Sequence, residues 1–158
     1  MTQGSPDSSA AVGLGPDLCR DVLRQCGSFN LRKASRVVTQ LYDEVLQPTG
    51  LRSTQVVVLL SVVASGETNM TRLAHDLVTS PSTLSRSILP LQRDGYVKLR
   101  VDGGRSKMVS LTAEGRKKLL EVAPYWQQAQ AKFLSLIGED GWQELSQRLD
   151  HAVKTVHG

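Results

Sequence analysis

Asn69 to Tyr96 reads NMTRLAHDLVTSPSTLSRSILPLQRDGY, and it contains two helix starts eleven residues apart. Asn69 stands where a cap belongs, and Met70, Leu73, Ala74 and Leu77 then fall on one helical face. Ser80 followed by Pro81 is a cap plus a first-turn proline, and Leu84, Ile88 and Leu91 of the helix it opens face inward. Ser82, Thr83, Ser85 and Arg86 crowd the outward face near the start. Two short helices joined by a tight link, the second polar and cationic at its N-terminus, form the pattern of a helix-turn-helix. Pro90 lies inside the second helix and predicts a bend of its C-terminal half, which leaves readout to the first turn and a half.

Downstream, YVKLRV, DGGRS and KMVSL read as two alternating flanks around a glycine-rich centre, hence a β-hairpin. Val97, Leu99 and Val101 share one face of its first strand, Val109 and Leu111 one face of its second. Thr112 caps a long helix that runs to Ile137, with Pro124 inside it as a predicted kink or interruption. Gly138 stops that pattern, and Glu139 or Asp140 begins a last helix carrying Trp142, Leu145, Leu149, Ala152, Val153 and Val156 at helical spacing.

Upstream, Ser53 is read as the cap of VVVLLSVVA, a helix apolar nearly all round and therefore expected in the middle of a core. Before it, a helix from Ser28 carries Leu31, Ala34, Val37, Val38, Leu41, Tyr42 and Val45 on one side until Pro48 and Gly50. Before that comes a helix of about ten residues from Pro16. The opening residues are rich in Gly, Pro, Ser and Ala and read as a disordered arm with no secretory signal.

The 158 residues suit one ordinary domain. Aromatic residues make up only 4% of the chain, which disfavours a sugar-binding or base-stacking surface. Residues 1–50 carry no net charge, 51–118 carry +6 and 119–158 carry −2. The excess positive charge in the middle third is the footprint of a module that meets a polyanion. The longest uncharged stretch, Ser53 to Gly66, is shorter than the roughly 20 residues that cross a bilayer, so no membrane association is expected and the expected location is the cytoplasm. His75, His151 and His157 show neither metal spacing nor a nucleophile partner. No phosphate loop or catalytic constellation stands out, so neither an enzyme, a cofactor nor a resident metal is expected.

Taken together, these pieces resemble the MarR family of bacterial transcriptional regulators over roughly residues 28–157. The matching segments are LRSTQVVVLLSVV, MTRLAHDLVTSPSTLSRSILPLQRDGYVKLR and GGRSKMVSLTAEG, in which Arg105, Leu111, Thr112 and Gly115 stand at the family's spacing. Gly103 holds the place of the family's wing aspartate, and Asp102 stands three residues before Arg105. The resemblance implies a mainly α fold with a small β-hairpin, a winged helix-turn-helix flanked by N- and C-terminal dimerisation helices. On that reading residues 1–15 are the arm, 16–50 the N-terminal dimerisation helices, 51–115 the DNA-binding module and 116–158 the C-terminal dimerisation helices. It also implies a homodimer on double-stranded DNA, with a small-molecule effector between the dimer helices and the winged module.

Within that frame Ser82, Thr83, Ser85 and Arg86 are the candidates for the major groove, arginine being suited to bidentate pairing with guanine. Arg105 is the candidate for a narrow minor groove. Lys98, Arg100 and Lys107 are candidates for phosphate contacts that position the module. Cys19 and Cys26 leave three readings open: small buried hydrophobes, thiols that sense an oxidant or electrophile, and ligands of a soft metal shared with a partner chain. Seven residues of helix separate them by about 10.5 Å along the axis, too far for a disulfide within one intact helix. The expected function is a dimeric repressor of a pseudo-palindromic site, released by a small molecule or a thiol-reactive signal. The alternatives are a regulator without an effector and a protein-interaction module that docks through its apolar terminal helices.

Overall fold

The computed structural model describes residues 15–103 and 106–157, with the side chain of Asp102 excepted. The predicted arm therefore lies almost wholly outside the described residues, as does Arg105. The chain falls into two compact units, one ending at Val37 and the other beginning at Val38.

The first unit holds helix α1 (Pro16–Gln25) and the first half of helix α2 (Gly27–Leu46). Pro16 at the first position and Asp17 in the first turn account for the start of α1. Asp17 pairs with Arg20, and Asp21 with Arg24 at 2.6 Å, one turn apart on the exposed side. The end of α1 is held by the next helix: the Asn30 amide donates to the carbonyls of Leu23, Arg24 and Cys26 at 3.3, 3.0 and 2.9 Å.

The second unit is built around α3 (Ser53–Ser65), α4 (Met70–Asp76), α5 (Pro81–Arg93) and α6 (Ala113–Ile137), followed by α7 (Glu139–His157). Its strands are β1 (Thr68–Asn69), β2 (Val97–Asp102) and β3 (Ser106–Leu111), in the order β1-β3-β2 and antiparallel throughout. The sequence shows only the hairpin; the two-residue β1 is too short to leave an alternating pattern and is made by pairing Thr68 with Val109 and Asn69 with Met108. Leu59, Leu73, Leu84, Ile88, Leu91, Val97 and Val109 are fully buried in one core between these helices and the sheet.

Two expectations need correction. Ser53 is not the cap of α3; it is the first helical residue, and its amide and hydroxyl both donate to Asp43 Oδ1 at 2.7 Å. The Arg52 amide, one residue earlier, donates to the Gln55 side chain at 2.9 Å. Nor is α3 surrounded: it packs on α5, β3 and α6, while Val57, Leu60 and Val63 form a half-exposed stripe on its other side. In the hairpin, Val97, Leu99 and Val101 do share one face of β2; Val97 and Val109 are buried, and Val101 is exposed where β2 runs out beyond the core. Helix α6 is not interrupted at Pro124, and α5 runs on through Pro90, which stands in its last turn.

Aromatic side chains join α2, α6 and α7. Tyr42 packs against Trp126 and Phe133, with ring centroids 5.0 and 6.3 Å apart, and Phe133 meets Trp142 edge-on at 5.2 Å. The Tyr42 hydroxyl donates to Gln130 Oε1, and burial raises its pKa above the ordinary tyrosine value.

One joint fixes the base of the hairpin. The Thr112 amide donates to the Tyr96 carbonyl at 3.0 Å, and its hydroxyl lies 2.6 Å from the Gly95 carbonyl and 3.1 Å from that of Tyr96. The same hydroxyl caps α6 by accepting the Gly115 amide at 3.0 Å. A Cβ on Gly115 would stand 2.1 Å from the Tyr96 carbonyl oxygen and 2.8 Å from Leu111, so only glycine fits. Gly115→Ala is therefore expected to destabilise the fold by about 3 kcal/mol. Urea unfolding checks this, and an unchanged midpoint would mean that the joint yields without strain.

Candidate nucleic-acid interface

Helix α5 presents its polar end to solvent because its other side is committed to the core through Leu84, Ile88 and Leu91. Ser80 caps it, accepting the Thr83 amide at 3.1 Å. The same hydroxyl lies 3.0 Å from Ser82 Oγ and 2.8 Å from Thr83 Oγ1, and Arg86 Nη2 reaches Thr83 Oγ1 at 3.4 Å. Ser82, Thr83, Ser85 and Arg86 are all exposed, so the first two turns offer a row of hydroxyls ending in a guanidinium. Such a row can donate to and accept from base edges, and the guanidinium can pair with a guanine edge. Leu89, one turn further along the outward face, is 59% exposed, an apolar continuation that the sequence pattern did not single out.

The turn into α5 is built on the end of α4. The Val78 amide donates to the His75 carbonyl and the Thr79 amide to the Ala74 carbonyl, both at 2.9 Å. This pair of bonds requires a left-handed residue between them, and Val78 takes that conformation with φ +49°. For a β-branched residue it costs about 1–2 kcal/mol.

The hairpin divides its cations between two faces. Arg100 is paired across β3 with Met108, and Lys98 with Ser110, which puts both cations on the face opposite Val97 and Leu99. Lys107 stands across from Val101, on the same face as Val109 and Leu111. Lys98 and Lys107 are exposed, whereas Arg100 is held against Glu67 at 3.4 Å. Glu67 precedes β1 and is 33 residues away in sequence, so no local pattern marks this pair. The bracing of Arg105 by Asp102 lies outside the described residues.

Cys19 is exposed and Cys26 half-buried, so the reading of both as buried hydrophobes does not hold within the single chain. Cys26 closes α1 and opens α2, and its sulfur accepts the Phe29 amide at 3.5 Å. Among the described residues no group of three or more His, Cys, Asp or Glu side chains is placed to hold a metal ion. Among the same residues no helix is long and apolar enough to cross a membrane.

No family model matches the chain. An uncharacterised HTH-type transcriptional regulator of Bacillus subtilis (strain 168), YwoH, is 30% identical over 93 residues, which are 58% of this chain and 68% of that one. The M. tuberculosis transcriptional regulator MosR in complex with DNA is 29% identical, with a TM-score of 0.75 over 83% of this chain and 96% of the other. A MarR-family regulator from Rhodococcus sp. RHA1 shares the fold at 23% identity, with a TM-score of 0.70 over 85% and 94% of the two chains. The chain belongs to the DNA-binding helix-turn-helix transcriptional regulators, with the winged architecture of the MarR family.

Proposed function

We propose that the chain is a cytoplasmic homodimeric repressor whose two winged modules grip a pseudo-palindromic operator and let go on a small-molecule or thiol-reactive signal. The observation that carries this reading is the exposed row Ser82, Thr83, Ser85 and Arg86 on the capped start of α5. These four side chains read base edges in the major groove. Lys98, Arg100 and Lys107 contact phosphates from the hairpin, and Arg105 at its tip enters the minor groove. Residues 51–115 are the DNA-binding module.

Dimerisation falls to residues 16–50 and 116–158. Leu18, Val22, Leu23, Phe29, Leu31 and Val37 leave a broad apolar surface uncovered on the first unit, and Leu145, Val153 and Val156 do the same on α7. Helices of this kind are stable in water when a second copy covers them. A signal that changes the separation of the two α5 helices breaks the fit to half-sites about one turn of DNA apart. Support for a ligand comes from regulators of the same fold: CouR from Rhodococcus jostii RHA1 has been seen bound to p-coumaroyl-CoA, and PcaV from Streptomyces coelicolor with its natural ligand. Support for a thiol signal is the exposure of Cys19 and the place of Cys26 at the α1–α2 junction.

Selection of bound fragments from random DNA, together with the mass of the complex in solution, tests the core of this reading. Enrichment of an inverted repeat occupied by two chains is expected; a monomer that enriches no sequence would sink it. On the selected site, Arg86→Ala should weaken specific binding by roughly tenfold and relax preference at one base pair per half-site. Lys98→Ala and Lys107→Ala should weaken all sequences alike and reduce the salt slope by about one each per module. For the signal, peroxide should release wild-type protein and a reductant should restore it, while a Cys19→Ser, Cys26→Ser double variant stays bound. Equal release of both proteins would leave only the small-molecule route.

A further inference from the structure

Helices α4 and α5 end with the same hydrogen-bond arrangement but with different residues at its left-handed position. At the end of α5 the Gly95 amide donates to the Gln92 carbonyl at 3.0 Å and the Tyr96 amide to the Leu91 carbonyl at 2.8 Å, with Gly95 at φ +78°. At the end of α4 the matching bonds run from Val78 to His75 and from Thr79 to Ala74, with Val78 at φ +49°. Glycine is the residue that this motif favours, because it has no Cβ to clash. Valine is among the least suited, and Val78 is the one residue other than glycine at positive φ among those described.

The fold gains little from the valine side chain in return. Val78 is 52% exposed and belongs neither to the buried core nor to the partly buried side chains packed on it, whereas its neighbour Leu77 does pack there. A strained residue whose side chain is turned out of the fold has its use outside the fold. Its place shows what kind of use. Val78 stands two residues before the cap Ser80, and the exposed side chains of Ser80, Pro81, Ser82 and Thr83 continue from it.

We propose that Val78 is a specificity-determining residue that reads the 5-methyl group of a thymine at the margin of each half-site. The inference rests on the reading of α5 as the helix that enters the major groove. In that groove the thymine methyl is the one apolar group presented by a base edge, and an aliphatic side chain is its natural partner. A valine offers nothing to a phosphate. The hydroxyl row of α5 and the valine ahead of it thus divide the work: the former takes polar edges, the latter the methyl.

The test replaces each thymine of the selected site in turn by deoxyuridine, which removes only the methyl group, and measures binding by wild-type protein, Val78→Gly and Val78→Asn. Wild-type binding is expected to fall about fourfold at one thymine per half-site, the loss that goes with one buried methyl. Both variants should bind thymine and deoxyuridine equally well at that position. They should melt no lower than wild type, because glycine and asparagine tolerate the left-handed conformation, and should keep the salt slope of non-specific binding. The proposal is overturned if no thymine separates wild type from the variants, or if the variants lose affinity equally on both DNAs. Failure of the wild-type chain to select any sequence would instead remove the α5 reading itself, and Val78 with it.

Discussion

The carbonyl oxygen of Tyr96 holds the winged module together. It accepts the amide of Thr112, lies within reach of that residue's hydroxyl, and leaves no space for a Cβ on Gly115. Three elements meet at this point: the turn that ends α5, the first residue of β2, and the first turn of α6. Neither α5 nor the hairpin can turn relative to α6 without breaking hydrogen bonds in a tightly packed place. Helix α6 runs 25 residues from this joint to Ile137 and carries Phe133, with its aromatic contacts, near its far end. In the proposed dimer, this lever is what a signal would act on.

Electrostatics gives the module its direction. Arg86 continues a line of hydroxyls, while Lys98 and Lys107 leave the hairpin on opposite faces. Cations on both faces of a wing suit a groove with phosphates on either side better than a flat anionic surface. Arg100 contributes less freely, because Glu67 shares its charge and ties β2 to the segment that leads into β1.

Local chemistry made much of this legible in the sequence. Asn69, Ser80 and Thr112 each cap a helix from within the same turn, and the structure places all three as caps. The buried faces of α4 and α5 follow from 3.6-residue spacing, and the hairpin from alternation around two glycines. Readings failed where the deciding partner lies elsewhere in the chain. Ser53 looks like a cap until Asp43, on another helix, takes both its donors. The half-exposed stripe of α3 is invisible because a run of valines and leucines does not say which of them meets a neighbour. Val78 could not be found by propensity at all, since every residue preference puts glycine or asparagine there. Only the backbone reveals the exception.

Asn69 has two commitments: its backbone pairs with Met108 in the sheet, and its side chain accepts the Arg72 amide at 2.7 Å at the start of α4. Pairing β1 with β3 closes a loop of about forty residues, and loop-closure entropy sets such pairings behind the contacts between neighbouring helices. The assembly order follows. A chain leaving the ribosome exposes α4 and α5 before Val109 has emerged, and it acquires a third strand only after the whole hairpin is outside. The two helices are thus in place before the hairpin has a fixed angle, and the last contact to form, the pairing of β1 with β3, sets that angle.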